Sequence, residues 1–448
     1  MTQKLDSIFD FYIHNLSKFI TFKSVSTFED VTEIGKTVDW LERLFTNSGF
    51  STKVIRGYDN PVIIAEYIVN PDFPTVLVYG HYDVQPASTE EWGTDPFKLE
   101  MKDGKIFGRG VSDNKGQFFV HFSAISKLIE ENALIFNVKF IIEGNEETGS
   151  PNIKPLLEKF RDELKSVMIL ISDSSMIQDN PTMEVGLRGT FNTTLNIYSS
   201  DKDLHSGLFG GVAVNSAHVA SQFLSELFDD FGNVTYKEFY NDVEISQEDI
   251  KLTDSIPFNK RNILTLTGNS ELMLDSKENY YQKVGLKPTI QVTGLSSGYN
   301  GVGYRNSVPH QTSIKLNFRL VSNQTPDKVL KDFKQYCEKK LPDFVRHSFA
   351  QPEKTEGAVN PVRIDSTGRY HKHIKLLLES VYGAKVYYDF NGATLPIINS
   401  FNEVFGNELL MVALANEDCN MHAVGENFDL QKIKKALEFS YKFFSTKL

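Results

Sequence analysis

Three short apolar runs, TVLVYGHYD, NVKFIIEG and SVMILISDS, constrain this chain most: the first is a Val-rich strand ending in Gly, and the other two suit strands buried on both faces. Helical stretches stand between them. TVDWLERLFTNSGF places Val38, Leu41, Leu44 and Phe45 on one face with Gly49 near its end, and GQFFVHFSAISKLIEEN has a broad apolar face. PVIIAEYI adds a further strand. Strands alternating with helices predict an α/β fold with a mainly parallel sheet.

The pattern changes near Val185. In GTFNTTLNIYSS, Phe191, Thr193, Leu195 and Ile197 fall on one face and Asn192, Thr194, Asn196 and Tyr198 on the other. TSIKLNFRLV alternates in the same way, with Ile314, Leu316, Phe318 and Leu320 opposite Ser313, Lys315, Asn317 and Arg319. Strands with one wet face belong to an open antiparallel sheet. The helical stretch NSAHVASQFLSELFDDFG lies between them, and HKHIKLLLESVYG and LQKIKKALEFSYKFF later resume the first pattern. At 448 residues the chain exceeds one ordinary core. The expected architecture is an α/β domain over residues 1–186 and 358–448, interrupted by an α+β domain over residues 187–357.

Composition narrows the partners. The chain is 40% hydrophobic and 23% charged, which is globular, and its net charge of −11 offers no basic stripe for nucleic acid. Cys337 and Cys419 allow no disulfide framework. The opening MTQKLDSIFDFYIHNLSKF has helical spacing rather than the apolar block of a signal peptide, and no run is long enough to span a bilayer. The expectation is a cytoplasmic protein that binds neither nucleic acid nor membrane.

The chemistry lies where the strands end. TVLVYG is followed by His81 and Asp83, FIIEG by Glu146 and Glu147, and ILIS by Asp173; GRGVSD delivers Asp113 before a helix, and NMHAVGENF delivers His422. Ligands of open α/β sheets bind beyond the carboxyl ends of the strands. Any one of these residues alone reads as a turn or cap. As a set, carboxylates crowded at one crevice repel unless a cation neutralises them, and a His/Asp/Glu group suits Zn²⁺ or Mn²⁺. His81 and Asp83, at i and i+2 in extended backbone, point the same way, so Asp83 reads as the acceptor of the imidazole's second N–H.

GHYDVQP, GRGVSDNKG, EGNEETGS, ISDSS and MHAVGENF occur in the order found in the dinuclear metallopeptidases that include acetylornithine deacetylase, succinyl-diaminopimelate desuccinylase and glutamate carboxypeptidase. With DLHSGLFGG, the chain most resembles the carnosinase-like cytosolic nonspecific dipeptidases. The resemblance implies two divalent ions per subunit, bridged by Asp113. His81 and Asp173 would complete one, Glu147 and His422 the other. Glu146 would be the general base that deprotonates a metal-bridged water, and the Asp113–Asn114 peptide would be cis. An Asp at position 173 accompanies dipeptidases, aminopeptidases and aminoacylases rather than carboxypeptidases. The inserted domain would act as a lid and dimerisation domain.

Read alone, His205 is a loop histidine near a helix start and Arg319 a solvated strand arginine. The resemblance implies instead that His205 reaches the partner's site in a homodimer and that Arg319 binds the substrate's terminal carboxylate. Asn306 and Thr394 would make polar substrate contacts. One departure concerns the substrate's amino end: the resembled enzymes carry EGGS where this chain has NGAT, Asn391 to Thr394. The expected function is metal-dependent hydrolysis of dipeptides. Alternatives are removal of an acyl group from N-acyl amino acids, or a non-catalytic binding protein of the same fold, although the latter would be expected to have lost a ligand or the base.

Overall fold

The computed structural model describes residues 2–28, 30–275, 279–350 and 358–446. The chain divides into two compact units, one of residues 1–185, 364–389 and 395–448, the other of residues 186–363 and 390–394. The return to the first unit thus falls at Ile364, later than the expected residue 358, and Phe390–Thr394 joins the second unit. Gly357, the expected last residue of the inserted domain, lies outside the described residues.

In the first unit the sheet runs, in spatial order, Ser51–Ile55, Val62–Tyr67, Asn137–Glu143, Thr75–His81, Met168–Ile171, Glu408–Ala413 and Thr182–Leu187, whose last two residues belong to the second unit. Asn137–Glu143, Thr75–His81, Met168–Ile171 and Glu408–Ala413 pair in parallel, and antiparallel strands flank them. The parallel strands are buried almost throughout, as their unbroken apolar character requires. Helix Lys115–Glu130 covers one face with helices Thr2–Ile20 and Leu430–Ser445 against it. Its broad apolar face packs Phe118, Phe119 and Phe122 against Phe19, Phe45 and Phe140, and the Phe45 and Phe122 rings lie 4.6 Å apart. Each such ring contributes roughly 1.5–3 kcal/mol by leaving water.

Two features bring the candidate donors together. The parallel strands share a direction, so their carboxyl ends, with His81, Glu146, Glu147 and Asp173 at or just beyond them, open on the same side. Asn427–Asp429 pairs antiparallel with Lys105–Phe107, which sets the late segment around His422 beside the loop Gly108–Asp113. That loop lies hard against the start of helix Lys115–Glu130: a Cβ on Gly116 would sit 1.8 Å from the Val111 carbonyl oxygen.

In the second unit, among the described residues, a four-stranded antiparallel sheet runs Thr289–Ser297, Gln311–Leu320, Gly189–Tyr198, Arg346–Ala350. Phe191, Leu195, Ile197, Ile314, Leu316 and Phe318 turn inward to a core closed by helices Ser216–Leu227 and Pro326–Lys340. The register sets Arg319 opposite Thr190 on one side and Thr289 on the other. Cys337 and Cys419 are buried free thiols. No described helix is long and apolar enough to cross a membrane.

Gly116→Ala tests the close approach. Elsewhere in a helix this change stabilises by up to about 1 kcal/mol. Here overpacking is expected to cost about 1–3 kcal/mol in a urea melt, and a gain in stability would show that the loop is not where it is described.

Candidate metal centre

Beyond the strand ends, two groups of ligand-type side chains share one residue. His81, Asp113 and Asp173 form the first group and Asp113, Glu147 and His422 the second, and within each the donor atoms lie within 4.8 Å of one another. Asp113 Oδ1 is 3.1 Å from His81 Nε2, and its Oδ2 is 2.7 Å from His422 Nε2. Asp173 Oδ2 lies 3.5 Å from His81 Nε2, and Glu147 Oε2 3.2 Å from His422 Nε2. The Asp113–Asn114 peptide is cis.

Local structure explains how each group is held. His81 ends its strand fully buried, with Nδ1 3.0 Å from the Asp83 backbone oxygen. That contact directs the Nδ1 proton at the carbonyl and turns the Nε2 lone pair toward Asp113 and Asp173. The Asp83 carboxylate, expected to be the acceptor, makes the longer contact with Nδ1, at 3.3 Å. It also accepts the backbone N–H groups of Glu146 and Glu147, at 3.3 and 3.1 Å. It thereby fixes the turn that presents both glutamates. Glu146 is half-buried, with Oε2 3.8 Å from His81 Nε2.

Charge is concentrated here. The carboxylate oxygens offered within each group lie within 4.8 Å of one another, and two like charges about 4 Å apart repel by roughly 4 kcal/mol at an effective dielectric constant of about 20. Burial would raise the Asp113 pKa, but His422 and His81 pull it below the usual carboxylate range. Burial, with the Asp173, Asp113 and Asp83 charges, pushes Glu146 well above its usual range, against the pull of His81. The His422 contacts with Asp113 and Glu147 raise its pKa to about 10. Burial would lower that of His81, yet the surrounding carboxylates raise it well above the usual value.

The donor set fits divalent cations. His81 Nε2 is buried without a hydrogen bond although carboxylate oxygens crowd it, as a ring nitrogen aimed at a cation would be. The potential that draws protons to both histidines would hold cations in their place. Oxygen and imidazole donors without thiolate match Zn²⁺ or Mn²⁺.

Several supporting residues were not singled out from sequence. Glu426 is fully buried; it pairs with Arg109 Nη1 at 2.8 Å and accepts the backbone N–H groups of Gly110, Ser112 and Asp113 at 2.9, 2.8 and 3.1 Å. Arg109 Nη2 also bonds the His422 carbonyl, at 3.3 Å, where His422 has a left-handed φ of 62°. Asn114 Nδ2 donates to Asp173 Oδ1 at 2.7 Å, and Gln85 Nε2 to Glu147 Oε2, also at 2.7 Å. Proximity to GRGVSD and MHAVGENF was the available signal, but these partners lie too far apart in the chain for spacing to connect them.

The remaining candidates lie in the second unit as two pairs. Arg319 Nη1 donates to Thr394 Oγ1 at 3.1 Å, and Thr394 Oγ1 donates to the Arg188 carbonyl at 2.6 Å. Leu204–His205 pairs with Ser307–Val308, and the Ser206 N–H donates to the Asn306 carbonyl at 3.0 Å, which places the exposed His205 and Asn306 side by side. His205 Nδ1 accepts the Gly207 N–H at 3.0 Å, so the ring proton is on Nε2. His371 stands apart from both groups, its buried ring stacked on Tyr388.

The model of peptidase family M20/M25/M40 matches residues 77–446. The chain belongs to this family. It is an enzyme, a metallopeptidase. It is 28% identical over 377 residues to the Beta-Ala-His dipeptidase of Rattus norvegicus, covering 82% of this chain and 76% of the relative. It is 26% identical over 453 residues to the Cys-Gly metallodipeptidase of Saccharomyces cerevisiae, covering 96% and 93%. An M20 family metallo-carboxypeptidase from Sulfolobus solfataricus superposes with a TM-score of 0.82 at 28% identity, over 97% of this chain and 98% of that one.

Glu426→Gln is expected to weaken Zn²⁺ or Mn²⁺ binding about 10- to 100-fold, read by titration against a competing chelator. Unchanged affinity would show that Glu426 does not position Asp113.

Proposed function

We propose that the protein is a metal-dependent dipeptidase, hydrolysing the peptide bond of dipeptides with two divalent cations, Zn²⁺ or Mn²⁺, at the paired groups. The observation that carries this reading is the sharing of Asp113 between them, with Glu146 beside the first. Relatives named as dipeptidases support the substrate class.

His81 and Asp173 would hold one cation, Glu147 and His422 the other, and Asp113 both. When bound, the cations supply Lewis acidity, which lowers the pKa of a water and polarises the scissile carbonyl. Glu146 takes the proton of the attacking water and returns it to the leaving amine, so one carboxylate serves as base and then acid. Asp83 holds that carboxylate's backbone in place. Arg319, positioned by Thr394, receives the substrate's terminal carboxylate through the planar fork of its guanidinium. His205 donates its Nε2 proton to the carbonyl oxygen of substrate bound to a second subunit, with Asn306 beside it. The second unit accordingly serves as lid and dimerisation domain. The likeness to a metallo-carboxypeptidase supports a second reading, removal of the last residue from longer peptides. Assays of dipeptides, tripeptides and N-acyl amino acids on the remetallated enzyme separate these readings.

Chelation should abolish activity and added Zn²⁺ or Mn²⁺ should restore it; hydrolysis that survives metal removal would contradict the proposal. Glu146→Gln should lower kcat about 10²- to 10⁴-fold while metal content is retained, and normal turnover would remove Glu146 as the base. Mixing His205→Ala and Glu146→Gln subunits should recover activity, because a heterodimer then contains one complete site. An inactive mixture of verified heterodimers would place His205 in its own subunit's chemistry, and full activity of His205→Ala homodimers would place it outside the chemistry.

A further inference from the structure

We propose that Arg188 adds a second carboxylate-binding position beside Arg319, so that the preferred substrates are dipeptides whose C-terminal residue is Asp or Glu. This inference rests on the dipeptidase reading and adds the substrate class.

Within the second unit a cavity of about 740 Å³ is lined by Arg188, Asn317 and Arg319 on its polar side and by Phe228, Phe231 and Met273 among its apolar residues. Arg188 is locked in place: its backbone N–H donates to the Ala393 carbonyl and its Nε to the Gly392 carbonyl, both at 3.1 Å. A Cβ on Gly392 would lie 3.0 Å from Arg188 Nη2, so the turn and the guanidinium are in close contact. These bonds use Nε and leave the terminal nitrogens without a hydrogen bond to the described residues.

Charge balance gives the argument its direction. Neither Arg188 nor Arg319 pairs with a carboxylate among the described residues. Burial, and then the charge of Arg319, lowers the Arg188 pKa to about 10, so the two guanidiniums sense each other. Lys283, on the same wall, differs: Asp229 and Asp275 act on it electrostatically. A substrate with a single terminal carboxylate would neutralise one guanidinium and leave the other uncompensated in a partly desolvated cavity. An Asp or Glu side chain at the C-terminal residue supplies the second anion, within reach of the first on the same residue.

The test compares Ala-Glu with Ala-Gln, which differ by one charge at nearly constant shape, on the Zn²⁺- or Mn²⁺-loaded enzyme. The wild-type kcat/KM should favour Ala-Glu by about tenfold or more. Arg188→Gln should lower kcat/KM for Ala-Glu about tenfold more than for Ala-Gln, with Arg188→Lys intermediate because it keeps the charge and loses the fork. Equal wild-type rates on the two peptides would overturn the inference without any variant, and dipeptidase activity would stand. Equal losses on both peptides in Arg188→Gln would overturn it too, and would make Arg188 a support for the 390–394 turn. Cleavage of neither peptide by the loaded wild type would overturn this inference; if Ala-Ala, Cys-Gly and beta-Ala-His were also left intact, the dipeptidase reading would fall with it.

Discussion

One carboxylate has to stand between two groups of donors, and the rest of the first unit is arranged to keep it there. Asp113 turns one oxygen toward His81 and the other toward His422. A carboxylate can occupy that position only if its backbone cannot drift, and Glu426 prevents drift by accepting the N–H groups of Ser112 and Asp113 together. Arg109 neutralises Glu426 and reaches on to the carbonyl of His422. A single buried ion pair therefore ties the two ends of the centre to each other, and removing either partner leaves an uncompensated buried charge, worth about 3–5 kcal/mol.

The sheet supplies the second half of the arrangement. Parallel pairing brings His81, the Glu146–Glu147 turn and Asp173 to one edge, and Asp83 links the first two through its carbonyl and its carboxylate. Asn114 links Asp173 back to the Asp113 loop. Hydrogen bonds thus connect the segments carrying the donors, and like charges are held closer than they would settle without cations. The second unit presents the opposite electrostatics, with two guanidiniums and, among the described residues, no acid paired to either.

Much of this was legible in the sequence, for identifiable reasons. The apolar runs ending in Gly or an acid carried both the parallel sheet and the side of it on which the candidate donors gather, since a strand end is a local feature. The alternation around Phe191 and Phe318 carried the antiparallel sheet of the second unit. Glu426 and Arg109 were not legible, because their partners are backbone N–H groups and a carbonyl more than three hundred residues away. Arg188 was missed for a similar reason: its significance lies in the carboxylate it lacks, which no local pattern records. The role of Asp83 was half visible. Its place beside His81 follows from the i, i+2 spacing, whereas its grip on the glutamate turn depends on a fold-level contact.

The central claim is that Asp113 serves two cations at once. Anomalous diffraction from crystals grown with Zn²⁺ tests it most directly. The account predicts two peaks per subunit about 3.5–4 Å apart, one flanked by each oxygen of Asp113. A single peak, or a pair that does not flank Asp113, would contradict it.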